Sequence, residues 1–216
     1  MPILPMTLHT YWLYLGAILL ISATPGPNIF YVTTRSIRFG FGAAMLAMIG
    51  CLTALLIILT ASVAGVSAFM LAVPAAFEAL KYAGAAYLIF LGVRRLVSRD
   101  EALPEVKVSG RSDRQLYAQG VVVNVLNPKT AVFFLAFLPQ FVDPARGAVT
   151  LQFLVLGLVF VAVAVLSDGA YALVAGTAGD WLRGSERVRR WLSRFSGVVF
   201  LGLGVTAALS GRPSSN

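Results

Sequence analysis

The chain has 216 residues, 58% of them hydrophobic and 12% charged, with a mean hydropathy of +0.83 and a formal net charge of +8. A soluble domain carries about 25% charged residues to solvate its surface, so this composition excludes an ordinary water-soluble globule. A single cysteine, Cys51, excludes an internal disulfide or a multi-cysteine metal site, and the single histidine, His9, leaves little for histidine-based catalysis.

Charged residues are absent from Met1 to Thr34, from Phe39 to Phe77 and from Gly147 to Ser167. Each run reaches the roughly 20 apolar residues that cross about 30 Å of hydrocarbon. The windows predict an all-α, polytopic membrane protein with six transmembrane helices: Tyr11 to Thr34, Phe39 to Ala61, Val66 to Val93, Leu116 to Phe141, Val149 to Val174 and Trp191 to Leu209.

In the first window, Leu13 to Ile21 followed by Ser22-Ala23-Thr24 resembles a secretory signal. It lacks a basic leader, and Pro25 and Pro27 crowd the cleavage site, so the segment is expected to stay as an uncleaved helix. Ala23-Thr24-Pro25-Gly26-Pro27-Asn28 predicts a break in it. Each proline lacks an N–H, so the carbonyls of Ile21 and Ala23 lose their usual donors, and Gly26 loosens the backbone between them. Thr24 before Pro25 reads as the cap of a new helix start.

Glu78 and Lys81 interrupt the third window, which allows a later start, and read as a surface pair at its outer end. Ser98 to Gln115 is a polar stretch of mixed charge, too short for a core of its own. It is expected to connect repeat one (about 8–97) to repeat two (about 116–210) within a single transmembrane domain.

The fourth window repeats the break as Asn127-Pro128-Lys129, with Asn127 as cap and Pro128 leaving the Asn124 carbonyl without its donor. Asn124 and Asn127, three apart, face one side, where they can line a pathway or join helices. Gly84, Gly92, Gly157, Gly202 and Gly204 read as close-packing positions between helices.

Three spans per half is an odd number, so the halves enter the membrane in opposite orientations. Two inverted three-helix repeats with broken first and fourth helices point to a secondary transporter with its site near the midplane. Helix starts exposed there suit a carboxylate, and freed carbonyls suit an ammonium group. An amino acid presents both.

Lys129 lies deep in the fourth span, where a charge costs about 2.5–3.5 kcal/mol on insertion scales, so it is expected to face a cavity or counter-ion. Asp168 interrupts the fifth span, with Tyr171 on the same face. Asp168 can pair with Lys129, bind a substrate ammonium, carry a proton, or sit at the membrane interface.

Thirteen Lys and Arg, Arg35 and Arg38 among them, fall in the first, third and fifth gaps, and two fall in the remaining gaps and tail. Positive loops stay on the cytoplasmic side, which puts both termini outside. The same loops favour anionic lipid, and this use of the positive charge leaves nucleic acid unexpected as a partner. A homodimer stays open beside a monomer.

Thr24-Pro25-Gly26-Pro27-Asn28, Leu80 to Gly92 (LKYAGAAYLIFLG), Asn124 to Lys129 (NVLNPK) and Phe133 to Phe141 (FFLAFLPQF), in this order, resemble the LysE/RhtB family of amino-acid exporters across nearly the whole chain. The resemblance implies a six-helix bacterial inner-membrane protein that exports amino acids such as homoserine, threonine, leucine or basic ones by proton exchange. It carries substrate-binding roles to Thr24, Pro25, Gly26, Pro27, Asn28, Asn124, Asn127, Pro128, Lys129 and Tyr171, and proton coupling to Asp168. Some relatives have an acid in the second helix, whereas this chain has Gly50-Cys51-Leu52-Thr53-Ala54, which favours a neutral substrate over lysine.

A passive pore on the same fold is the alternative, and Lys129 at the midplane argues against a cation pore. The sequence has no HExxH, GxSxG or phosphate-binding loop, so neither an enzyme nor a cofactor is expected.

Overall fold

The structure is a computed structural model that describes residues 8–72, 74–97 and 112–184, together with scattered helical positions between Trp191 and Ala208. The described residues are helical and contain no strand. In chain order the helices are α1 (Leu8–Ala23), α2 (Pro27–Phe39), α3 (Phe41–Ala72), α4 (Pro74–Val97), α5 (Asp113–Val125), α6 (Pro128–Val132) and α7 (Val149–Gly184).

Helix α3 over Phe41–Gly65 and α7 over Val149–Gly176 are each long and apolar enough to cross a membrane. Two further pairs reach that length only together: α1 with α2, bent by 49°, and α5 with the segment Pro128–Phe141, bent by 47°. The first bend lies at Pro25-Gly26-Pro27 and the second at Asn127-Pro128.

The first break differs in detail from its expected form. Thr24 does not cap the new helix; its hydroxyl turns back to the Leu20 carbonyl at 2.9 Å. The helix starts two residues later, with Gly26 extended at φ −120° and Pro27 at the first helical position. The break spans these residues because each proline disfavours helical backbone at the residue before it, Pro25 at Thr24 and Pro27 at Gly26, and Pro25 has no N–H to give.

At the second break Asn127 does cap, its Oδ1 accepting from the Lys129 N–H at 3.1 Å, with Pro128 next. The helix then widens to a π turn over Phe133–Phe137, where the Leu138 N–H reaches the Phe133 carbonyl, and tightens to a 3-10 turn over Leu138–Phe141. Pro139, without an N–H for the Leu135 carbonyl, sits at that switch.

Other boundaries move for local reasons. α3 runs on to Ala72 because nothing in Val66–Ala72 stops it, and α4 starts at Pro74. α5 starts at Asp113, inside the expected connector, because the Ser112 hydroxyl accepts from the Gln115 N–H. The rest of that connector, 98–111, and the side chains of His9, Glu78, Lys81 and Gly84's surroundings lie outside the described residues.

Arg35, expected in a loop, lies in α2 and is 1% exposed. The helix continues to Phe39 and stops only at Gly40, whose φ of +84° suits glycine and turns the chain directly into α3.

Helix α3 packs on α5 through facing glycines. A Cβ at Gly120 would collide with the Ala47 carbonyl oxygen, and one at Gly50 with that of Tyr117. Gly92 meets the Gly197 and Leu201 backbone, and Gly204 meets that of Ala85 and Ile89, so α4 and the last helical stretch approach just as closely. A Cβ at Gly202 would meet nothing within 4 Å among the described residues, so no such close approach is seen there.

The turn from Val142 to Ala148 is tied to α7 by the fully buried Gln152. Its Nε2 donates to the Asp143 and Gly147 carbonyls at 2.9 and 2.7 Å, and its Oε1 accepts from the Asp143 N–H at 2.8 Å.

Candidate functional site

Breaking a helix leaves its last carbonyls without donors, and in hydrocarbon each must be satisfied by protein or by a wet cavity. At the end of α1 every one has a donor. Thr24 supplies its hydroxyl to the Leu20 carbonyl and its N–H to that of Ile21, at 2.9 and 3.1 Å. Helix α7 supplies Ser167 Oγ to the Ser22 carbonyl at 2.9 Å and Tyr171 OH to the Ala23 carbonyl at 2.7 Å. Lys129 Nζ donates to the Thr24 carbonyl at 2.6 Å. The freed carbonyls are thus held by the protein's own hydroxyls and ammonium rather than left open for a substrate ammonium.

That last bond brings the two breaks together. Lys129 lies in the first turn of α6, Thr24 follows the end of α1, and the Lys129 stem lies over Gly26, where a Cβ would stand 3.3 Å from Lys129 Cδ and 3.8 Å from Nζ. No side chain caps α2, whose start at Gly26 therefore lies beside Lys129 with no side-chain acceptor on its first N–H groups.

Amide side chains continue the link across the fold. Asn28 Nδ2 donates to both oxygens of Asp168, at 2.9 and 3.2 Å, and Asn28 Oδ1 accepts from Asn127 Nδ2 at 3.3 Å. Asn127 also donates to Asn124 Oδ1 at 3.4 Å, which accepts from Thr130 at 3.1 Å. Asn124 Nδ2 donates to the Cys51 carbonyl of α3 at 2.6 Å. The Asn124 carbonyl, freed by Pro128, is taken by the Asn127 N–H at 3.2 Å.

Asn28, Asn124, Asn127, Lys129, Thr130 and Asp168 line one cavity of about 30 Å³, with Cys51 and Phe160 on its apolar wall. That is the room of about one water molecule. Asp168 is buried, among the described residues accepts from the Asn28 amide alone, and feels the Lys129 charge. An ionised carboxylate has about four acceptor positions, so it retains capacity for a proton or an ammonium group.

Of the residues singled out in the sequence, Asn28, Asn124, Asn127, Lys129 and Asp168 meet at the cavity, with Gly26 under Lys129. Thr24, Pro25, Pro27 and Pro128 form the breaks, and Tyr171 holds the end of α1 instead of lining the cavity. Ser167 and Thr130 were not anticipated. Ser167 sits four residues before Tyr171, a helical repeat of hydroxyls that marks one face binding something polar.

Phe160 of the cavity wall stacks on Phe133 with centroids 3.9 Å apart, and Phe134, Phe137, Phe141 and Tyr14 extend the aromatic cluster. Further along α2, Tyr31 OH donates to the Leu116 carbonyl at 2.7 Å and Ser36 Oγ to the Ala172 carbonyl at 2.7 Å, tying α2 to α5 and α7.

The chain matches the family model of the LysE type translocators over residues 19–211. It is 30% identical to a homoserine/homoserine lactone efflux protein of Salmonella typhimurium, over 94% of this chain and 98% of that one. It is 24% identical to a leucine efflux protein of Salmonella choleraesuis, over 92% and 94%. A membrane protein of Pseudomonas aeruginosa is 30% identical over 97% of this chain and its own full length. No solved structure gives a significant match. Two of these relatives are named as efflux proteins, which points to a transporter rather than an enzyme; the family model covers most of the chain, and the protein belongs to the LysE type translocator family.

Proposed function

We propose that the protein exports neutral amino acids of the homoserine, threonine or leucine type from the cytoplasm by alternating access, in exchange for protons. The observation that carries this reading is the single cavity shared by both helix breaks and both buried charges, with Lys129 on Thr24 and Asp168 on Asn28.

The substrate carboxylate binds the uncapped start of α2 with help from Lys129, which exchanges its Thr24 carbonyl for the ligand. The ammonium group binds Asp168 from the side that Asn28 leaves open. Proton and substrate compete for that carboxylate: release of the ammonium to the outside frees it for a proton, which travels inward. Asn124 and Asn127 hold Asn28 in register, and Tyr171 keeps α1 anchored to α7 while the site changes face.

A water-sized cavity lined by buried polar groups and walled by Phe160 fits a carrier between its open states. It supports a carrier over a passive pore, which needs a continuous wet path. For a neutral substrate, the wall formed by Cys51, Leu52 and Leu55 of α3 offers no second carboxylate.

In the membrane we read six spans as two inverted three-helix repeats, 8–97 and 116–210, in one domain of the bacterial inner membrane with both termini outside. Moving Arg35 from loop to helix leaves the excess of positive charge in the odd gaps intact. The test is export from cells loaded with dipeptides that release single amino acids. Uphill efflux that a protonophore abolishes is expected, and protonophore-insensitive downhill leakage would favour the pore.

A further inference from the structure

The least explained charge in the molecule is Arg35. It is the largest fully buried side chain, 1% exposed, and its Nη2 donates to Gln119 Oε1 at 2.9 Å. Its guanidinium carbon stands 4.8 Å from the Tyr31 ring centre. Nε and Nη1 are buried and have no hydrogen-bond partner, and no carboxylate pairs with Arg35 among the described residues.

A guanidinium brings five donors into the protein, and burying them unmatched is costly. A purely structural tether between α2 and α5 needs one donor to Gln119, which a neutral amide supplies without a buried charge. The surplus donors have the chemistry of an anion site.

Its position supplies the ligand. Asn28, Val32 and Arg35 follow one another at helical spacing on α2, so Arg35 stands on the face that leads to the cavity, seven residues or about 10 Å along the helix from Asn28. Around it lie the ties of α2 to α5 and α7: Tyr31 to Leu116, Arg35 to Gln119 and Ser36 to Ala172. When this seam opens, the guanidinium stands between the C-terminal end of α2 and Lys129.

We propose that Arg35 is a second carboxylate site, which takes the α-carboxylate of the amino acid at the cytoplasmic opening before it passes to Lys129 and the start of α2. Displacing Gln119 from the guanidinium couples arrival of the carboxylate to opening of the α2–α5 seam. This inference rests on the exporter reading above.

The experiment uses uptake into inside-out membrane vesicles, whose outer face is cytoplasmic, with two ligand pairs. Each pair compares a free carboxylate with a masked one: homoserine with homoserine lactone, and leucine with leucinamide. With Arg35→Gln, the KM for the carboxylate ligand is expected to rise by about tenfold or more, as for loss of a charge-assisted bond, while that of its masked partner stays within about twofold. Equal changes for both ligands of a pair, or no change, would overturn the assignment. Where Arg35→Gln fails to accumulate in the membrane, Arg35→Lys carries the same comparison, since a point charge does not replace the planar fork. Wild-type vesicles that move none of the four compounds would sink the exporter reading itself, and the role of Arg35 with it.

Discussion

Lys129 and Thr24 are 105 residues apart in the chain, and the ammonium of one donates to the carbonyl of the other at 2.6 Å. One bond therefore satisfies a carbonyl released by the first helix break and a charge carried by the second.

Lys129→Ala removes both the counter-charge of Asp168 and the donor of Thr24. A hydrogen bond to a charged group contributes about 1.5–3 kcal/mol, or roughly 10- to 150-fold in an equilibrium. Export is expected to fall by at least that lower factor in the dipeptide assay, with membrane abundance on immunoblots close to wild type. Unchanged export would remove Lys129 from the substrate path.

Asp168→Asn keeps the size of the side chain and abolishes its charge. Because proton and substrate ammonium compete for this carboxylate, uphill export and exchange of labelled for unlabelled amino acid are both expected to be lost. Exchange that persists while uphill export stops would leave Asp168 the proton alone. Exchange and net efflux measured side by side separate the two roles.

Tyr171→Phe takes the donor from the Ala23 carbonyl without changing the ring. An unmatched carbonyl costs about 1–3 kcal/mol. At about 2–4 °C per kcal/mol for a chain of this size, the thermal midpoint of the detergent-purified protein is expected to drop by several degrees. Ser167→Ala should act in the same direction through Ser22.

Gly120→Val forces a side chain into the Ala47 backbone, where neither helix can yield. Overpacking of this kind costs about 1–3 kcal/mol or more, and reduced accumulation in the membrane is expected. Gly16→Ala is the control: nothing lies within 4 Å of its Cβ, and accumulation should match or exceed wild type.

What the sequence made legible was local chemistry. Proline at 25, 27 and 128 marks both breaks, because a missing N–H acts within one turn wherever the chain goes. Asn127 could be read as a cap for the same reason. The start of α2 was misjudged by two residues because Thr24 had two uses, capping forward or bonding back to Leu20, and only tertiary packing decides between them. Which donors reach the freed carbonyls was not legible at all. Ser167 and Tyr171 come from more than 140 residues away, and spacing along the chain does not encode that pairing. Arg35 was misread because a count of charges by gap cannot tell a solvated arginine from one buried between helices. Tyr31 one turn earlier, suited to stacking under a guanidinium, was the local sign.

The central claim is proton-coupled export through the cavity shared by Lys129 and Asp168. Its most direct measurement is efflux of homoserine, threonine and leucine from dipeptide-loaded cells, with and without the protein, against an outward-increasing gradient and with a protonophore in parallel. The account predicts uphill efflux of one or more of them that the protonophore abolishes and that Asp168→Asn cannot sustain. Efflux that runs only downhill and ignores both the protonophore and Asp168→Asn would contradict it.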